Sequence, residues 1–204
     1  MRVRAGARRN EISLRLGVLG GTFDPPHVGH LLAAGDAFES LSLDKIVFIP
    51  VAAQPLKTDA PAVASPERRL EMVRLAINGD PRFAVSDAEI RRGGLSYTVD
   101  TLETLKRENP SATLVMIVGM DALAGLGRWK NPERIREIAE IAVLSREWDQ
   151  GVDAKVSEGV TVVGARRIDV SSSEIRQRLA EGKSIHGYVA ESVENYIATE
   201  RLYK

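Results

Sequence analysis

The chain contains no cysteine. Neither a disulfide framework nor a thiolate-ligated metal can hold it together. It also lacks an excess of charge of either sign, since 28 Lys and Arg balance 28 Asp and Glu. That balance argues against a general nucleic-acid binder, which needs a basic face, and leaves room only for a local basic pocket. No apolar run approaches the ~20 residues of a membrane-spanning helix. Aromatic residues are scarce at 5%, and there are three histidines. There are no internal repeats and no low-complexity tracts. The expectation is a globular protein with no nucleic-acid partner and no membrane partner, placed in the cytoplasm.

The 204 residues, 44% of them hydrophobic, fit one domain or one domain with a small subdomain. A chain of this size buries roughly 70% of its unfolded surface. Its start carries Arg2, Arg4, Arg8, Arg9 and Arg15 against the single acid Glu11. The charge is that of a secretory leader, but Gly17 interrupts the apolar run behind it, and cleavage there would destroy the loop that follows. Residues 1–13 therefore read as a basic tail. Residues 14–204 read as one domain whose C-terminal part, from about 171, is helical.

Strands are expected at Leu14–Leu19, Lys45–Ile49, Phe83–Val85, Leu114–Val118, Ile141–Leu144 and Val160–Val163. Helices are expected at Val28–Leu41, Pro66–Ile77, Thr98–Arg107, Asp121–Leu126, Pro132–Ala139, from Ser171 to Gly182, and at Val189–Thr199. Glu89–Tyr97 reads as a polar loop and 146–159 as a polar excursion. Ser171 and Glu174 have the spacing of a capping box. This alternation predicts an α/β fold, a doubly wound Rossmann-like parallel sheet with helices on both faces. Ligands of such sheets sit outside the carboxyl ends of the strands.

One loop stands out there. Gly20-Gly21-Thr22-Phe23-Asp24-Pro25-Pro26-His27-Val28-Gly29-His30 follows the first strand and opens the first helix. Paired glycines let backbone N–H groups approach a ligand closely. The N-terminus of the following helix favours an anion, and two of the three histidines sit here. The composition suggests a phosphate site with chemistry in it. A dinucleotide fingerprint is excluded because there is no GxGxxG. A Walker A loop is excluded because Gln177 stands where the first glycine before Gly182-Lys183-Ser184 should be. Asp24 is the only further ligand near the histidine pair, so a metal site is not expected. His186 has no motif around it and reads as a surface residue.

The loop matches the T/HxGH signature in its GG-T/S-F-D-P frame, and four later blocks follow in order. These are Ser65-Pro66-Glu67-Arg68-Arg69-Leu70-Glu71-Met72; Glu89, Arg92 and Gly94 with Ser96-Tyr97-Thr98-Val99-Asp100-Thr101-Leu102; Ile117-Val118-Gly119-Met120-Asp121 with Leu123, Leu126 and Trp129; and Val170-Ser171-Ser172-Ser173-Glu174-Ile175-Arg176. On these residues the chain resembles the bacterial nicotinate-nucleotide adenylyltransferases over nearly all of 14–204. His27-Val28-Gly29-His30 alone would be shared with other transferases, such as the pantetheine-phosphate enzyme.

The resemblance implies adenylyl transfer from ATP, with Mg²⁺, to nicotinate mononucleotide. His27, His30 and Arg176 would be catalytic. Gly20, Gly21, Thr22, Phe23, Gly29, Gly119, Asp121, Ser172 and Ser173 would bind ATP. Lys57, Tyr97, Thr98 and Trp129 would bind the acceptor nucleotide, Trp129 by stacking. The chain departs from the family at Gln54-Pro55-Leu56-Lys57, where Pro-Pro-His-Lys is usual, and at Ala190, where Pro is common. Two alternatives stay open at this point: another transferase of the superfamily, and a non-catalytic nucleotide sensor on the same fold. Oligomeric state is left open.

Overall fold

Arg15–Gly21 (β1) is the strand from which the sheet grows in both directions. In chain order there follow Val28–Ser40 (α1), Lys45–Pro50 (β2), Pro66–Ile77 (α2), Phe83–Val85 (β3), Ala88–Arg92 (α3), Thr98–Glu108 (α4), Thr113–Gly119 (β4) and Met120–Ala124 (α5). After a 3-10 turn at Leu126–Arg128 come Pro132–Ile138 (α6), Ala139–Ser145 (β5), Val160–Gly164 (β6), Ser172–Ala180 (α7) and Glu191–Thr199 (α8). This computed structural model describes residues 14–55, 62–145, 159–166 and 168–204. The basic tail 1–13, Lys57 and the excursion at 146–158 lie outside the described residues.

The six strands among the described residues are all parallel, in the order β3-β2-β1-β4-β5-β6. The winding reverses between β1 and β4, and in such a sheet the reversal opens a crevice at the carboxyl edge. Parallel strands are covered on both faces, so they read as continuous apolar runs. Their side chains still alternate. Leu16, Val18, Leu114, Met116 and Val118 face α4 and α6 through Val99, Leu102, Leu105 and Ile135. Leu19, Val115 and Ile117 face α1 and α2 through Ala34, Ala37, Val73 and Ile77. A Cβ on Gly17 would fall 2.7 Å from Leu43 Cδ1 and 2.9 Å from Ile46 Cγ1, so β1 admits no side chain there.

A third apolar cluster joins α2 to the C-terminal helices, with Ala64 and Met72 against Ile175, Ile185, Val189, Val193, Ile197 and Leu202. Helix α2 thus serves two cores: Val73 and Ile77 look to the sheet, and Met72 to α7 and α8.

Several boundaries differ from the sequence expectation. β1 runs through both glycines, because Gly20 and Gly21 pair with Ile49 and Pro50 of β2. The expected polar loop at 89–97 contains α3, whose Glu89 is buried at 5% exposure. The helix expected to reach Ala139 stops at Ile138, since Ala139 already pairs with Leu114. Of the capping box at Ser171, the Ser171 half is present, with the Glu174 amide donating to Oγ at 3.1 Å. The last helix begins at Glu191, with Val189 drawn into the third core and Ala190 at the extended N-cap. No helix among the described residues is long and apolar enough to cross a membrane.

Candidate active site

β1 and β4 end level with each other. Leu19 pairs with Ile117, and two residues further along each strand stand Gly21 and Gly119. A Cβ added to Gly20 or Gly119 would meet no atom within 4 Å, and both residues are exposed. The crevice between the strands therefore has open space directly above bare backbone. Gly21 is needed for a different reason. A Cβ there would lie 2.8 Å from Phe23 Cζ. Phe23 turns the chain through the left-handed region at φ 51° and buries its ring to 2% exposure. Its side chain belongs to the core, and only its backbone is available to a ligand.

The same ring supports the histidines. Phe23 meets His30 edge to face with centroids 5.0 Å apart, and His27 stacks on His30 at 3.7 Å and 30°. The His27 amide donates to Nδ1 of His30 at 3.2 Å. Nδ1 is thereby the acceptor, so the neutral imidazole carries its proton on Nε2. Gly29 makes the stack possible: a Cβ there would lie 3.0 Å from His27 Nδ1. The helix terminus is less open than the sequence implies. The first amide of α1, Val28, donates to the carbonyl of Tyr188 at 2.9 Å, so an anion would have to find later donors.

The arginine and serines expected at α7 converge on this loop. Ser172 Oγ donates to the Pro25 carbonyl at 2.8 Å. Arg176 Nη1 donates to the Asp24 carbonyl at 2.8 Å, and Nη2 to Ser173 Oγ at 3.2 Å. The Arg176 side chain is 29% exposed. A guanidinium has five N–H donors, so the fork retains donors for an anion.

Beneath the loop lies a buried polar network that sequence reasoning missed. Arg69 is 1% exposed. Its guanidinium donates to the carbonyls of Ala64 (3.1 Å), Thr22 (2.8 Å), Val51 (2.7 Å) and Ala52 (3.2 Å). Burial pulls its pKa below the ordinary arginine value, and the Asp24 carboxylate opposes that fall. Asp24 is 3% exposed and accepts from the amides of Val63 and Ala64 and from the Tyr203 hydroxyl, at 2.7, 3.2 and 2.6 Å. The signal for Arg69 was present: it occupies the core-facing spacing of α2 with Met72, Val73 and Ala76. Nothing local marks Tyr203.

The residues expected to bind the acceptor form a second group on the same sheet edge. Tyr97 is the N-cap of α4 and Thr98 its first residue. Tyr97 and Trp129 both pack half-buried against the same core. Lys130 Nζ lies 4.7 Å from the Tyr97 ring centroid and pairs with Asp100 at 2.9 Å. Thr101 Oγ1 donates to the buried Glu89 at 2.6 Å, tying α3 to the first turn of α4. Asp121 is exposed in the first turn of α5, with Gly119 as its N-cap.

The segment after β2 bridges the two groups. Val51 N–H donates to Gly21 O at 3.0 Å, Ala52 N–H to Ser96 Oγ at 2.9 Å, and Ser96 N–H to Ala53 O at 2.8 Å. Lys57 lies outside the described residues. His186 is 83% exposed beside Glu194, a surface residue as expected.

Known proteins resemble the chain in sequence and in fold. The family described as cytidylyltransferase-like matches residues 18–178. A protein of Gemmatimonas aurantiaca named "Probable nicotinate-nucleotide adenylyltransferase" is 44% identical, with 94% of this chain and 93% of that protein aligned. A Thermus thermophilus protein of the same name is 42% identical over 94% of this chain and the whole of its own length. Among solved structures, the nicotinic acid mononucleotide adenylyltransferase of Plasmodium falciparum complexed with NaAD has a TM-score of 0.76 at 20% identity, covering 93% of this chain and 97% of that one. This last likeness is one of fold. The identity over nearly the full length carries more, and by it the chain belongs to the cytidylyltransferase-like family and, within that family, to the nicotinate-nucleotide adenylyltransferases.

Proposed function

We propose that the protein transfers the adenylyl group of ATP to nicotinate mononucleotide, giving deamido-NAD and pyrophosphate, a step in making NAD. A phosphate oxygen of the mononucleotide attacks the α-phosphorus in line. The bond from that phosphorus to the α,β-bridging oxygen breaks, and its electron pair leaves with pyrophosphate. The attacking phosphate is already ionised at neutral pH, so the work left to the protein is positioning and charge stabilisation.

His30, with its proton on Nε2, would donate to an α-phosphate oxygen as charge develops, and His27 would do so from the neighbouring ring. Backbone N–H groups of Gly21, Thr22 and Phe23 would hold phosphate. Gly20 and Gly29 would keep the loop close to it, and Gly119 with Asp121 would receive the adenosine. Arg176, with Ser172 and Ser173, would hold the β and γ phosphates and steady the leaving pyrophosphate. Mg²⁺ would arrive with ATP as part of the substrate. Among the described residues no group of three or more His, Cys, Asp or Glu converges to hold a metal ion. The α4 terminus at Tyr97 and Thr98 would take the acceptor's carboxylate, with Trp129 stacking on its ring and Lys57 contacting phosphate. A chain without cysteine suits the cytoplasm, where we place the reaction.

The observation that carries this reading is the stacked histidine pair beside open backbone at the β1/β4 crevice. The test supplies ATP and Mg²⁺ with nicotinate mononucleotide, nicotinamide mononucleotide or phosphopantetheine, and follows pyrophosphate and the dinucleotide formed. Deamido-NAD as the main product is expected. Faster turnover of phosphopantetheine, or ATP binding without pyrophosphate release, would overturn the assignment.

A further inference from the structure

The Asp24 carboxylate lies within ion-pair range of Arg176 but makes no hydrogen bond to it. Its Oδ2 is 3.9 Å from Arg176 Nη1, while the same nitrogen is 2.8 Å from the Asp24 main-chain carbonyl. The hydrogen bond that anchors the guanidinium to the loop thus goes to a neutral dipole, and the carboxylate, paired with it only at longer range, leaves its remaining donors to a phosphate. Other donors occupy the carboxylate. Val63 N–H takes Oδ2 at 2.7 Å, and Ala64 N–H and the Tyr203 hydroxyl share Oδ1 at 3.2 and 2.6 Å. Tyr203 makes the shortest of these contacts.

Tyr203 reaches Asp24 through an unfavourable backbone. Leu202 is 5% exposed in the third core, and Tyr203 then turns at φ 64°. A bulky residue in the left-handed region is strained, and such strain persists only where the surroundings over-determine it.

We propose that Tyr203 is a positioning residue for Arg176: by holding the Asp24 carboxylate, its hydroxyl keeps that carboxylate from closing on Arg176, so that the arginine stays directed to the triphosphate. This rests on the reading of Arg176 as the triphosphate residue. Without the hydroxyl, Oδ1 loses its shortest donor and the carboxylate can turn toward the guanidinium. The nucleotide would then meet an arginine hydrogen-bonded to a carboxylate. The acceptor group around Tyr97 and Trp129 is held by other bonds, through Ser96 and Lys130, and should not feel the change.

The test is Tyr203→Phe, which removes the hydroxyl alone, assayed below its melting transition alongside Arg176→Ala and the double variant. In Tyr203→Phe we expect kcat/KM for ATP to fall about tenfold, as for a weakened hydrogen bond to a charged group, with KM for nicotinate mononucleotide unchanged. In the Arg176→Ala background, Tyr203→Phe should add almost nothing. A lower melting temperature with unchanged kinetics would make Tyr203 merely structural and overturn the proposal, as would an equal rise of both KM values or an undiminished effect without Arg176. If Arg176→Ala itself is near wild type, the reading of Arg176 fails. If Arg176→Ala is impaired and Tyr203→Phe is not, only the role given to Tyr203 fails.

Discussion

The main-chain N–H of His27 donates to Nδ1 of His30 at 3.2 Å, so one histidine sets the tautomer of the other before any substrate binds. The second ring nitrogen of His30 is left as the donor, on a ring held between His27 and Phe23. The arrangement resembles an oxyanion hole, in which donors are fixed in advance and need not reorganise as charge develops.

His30→Ala is expected to lower kcat by about 10²–10³-fold, the usual loss on removing one such donor. The melting temperature should move little, because His30 is only half-buried. Pyrophosphate release and a thermal melt on the same preparation check both parts. Near-normal turnover in a folded variant would remove His30 from the mechanism.

Gly29→Ala separates stability from activity. Alanine is the better helix former by up to about 1 kcal/mol, which offsets the crowding of the His27 ring, so the melting temperature should change little. The new Cβ would lie 3.0 Å from His27 Nδ1 and push the ring aside, and a misplacement approaching 1 Å can cost up to ~10²-fold in rate. Equal kcat in the two proteins would show that the His27 ring tolerates the shift.

Arg69→Met should destabilise the protein by about 3–5 kcal/mol, the range for breaking a buried charged network. It leaves the carbonyls of Thr22, Val51, Ala52 and Ala64 without that donor. Arg69→Lys should recover little, since a compact ammonium cannot span four acceptors as a planar fork does. Urea unfolding curves of the three proteins test this, and a lysine variant as stable as the wild type would contradict it.

Tyr203 gives the alkaline limb of stability a definite sign. Burial, reinforced by its hydrogen bond to Asp24, raises the phenol's pKa well above its ordinary value of 10.0. Below about pH 10 the tyrosine is protonated whether folded or unfolded, and its contribution is fully present. Above that, the unfolded chain releases the proton and the folded one keeps it, so stability falls as pH rises. The melting temperature should therefore drop more between about pH 9 and about pH 11 in the wild type than in Tyr203→Phe. Parallel curves would show that the phenol titrates normally.

What the sequence determined by itself is local or periodic. Alternating apolar strands and 3.6-period helices dictate a parallel sheet covered on both faces. The run from Gly20 to His30 places two glycines, a turn and two histidines within a few residues, so its geometry follows from neighbours in the chain. The blocks around Tyr97, Gly119 and Ser171 are legible in the same way as helix starts and a strand end, while their substrate roles come from the family resemblance. Local reading failed at Glu89, where a polar stretch proved to be a helix with a buried acid, because the residue that donates to Glu89 Oε1 is Thr101 in the next helix.

Only the tertiary structure decided how the loop is held. Arg69 reaches back 47 residues to Thr22, and Arg176 reaches back 152 residues to the Asp24 carbonyl. Tyr203 closes on the Asp24 carboxylate across 179 residues. No periodicity encodes such pairs. Each exists because α2, α7 and the segment after α8 pack around one small core, and because a buried polar group must find a partner wherever the fold brings one.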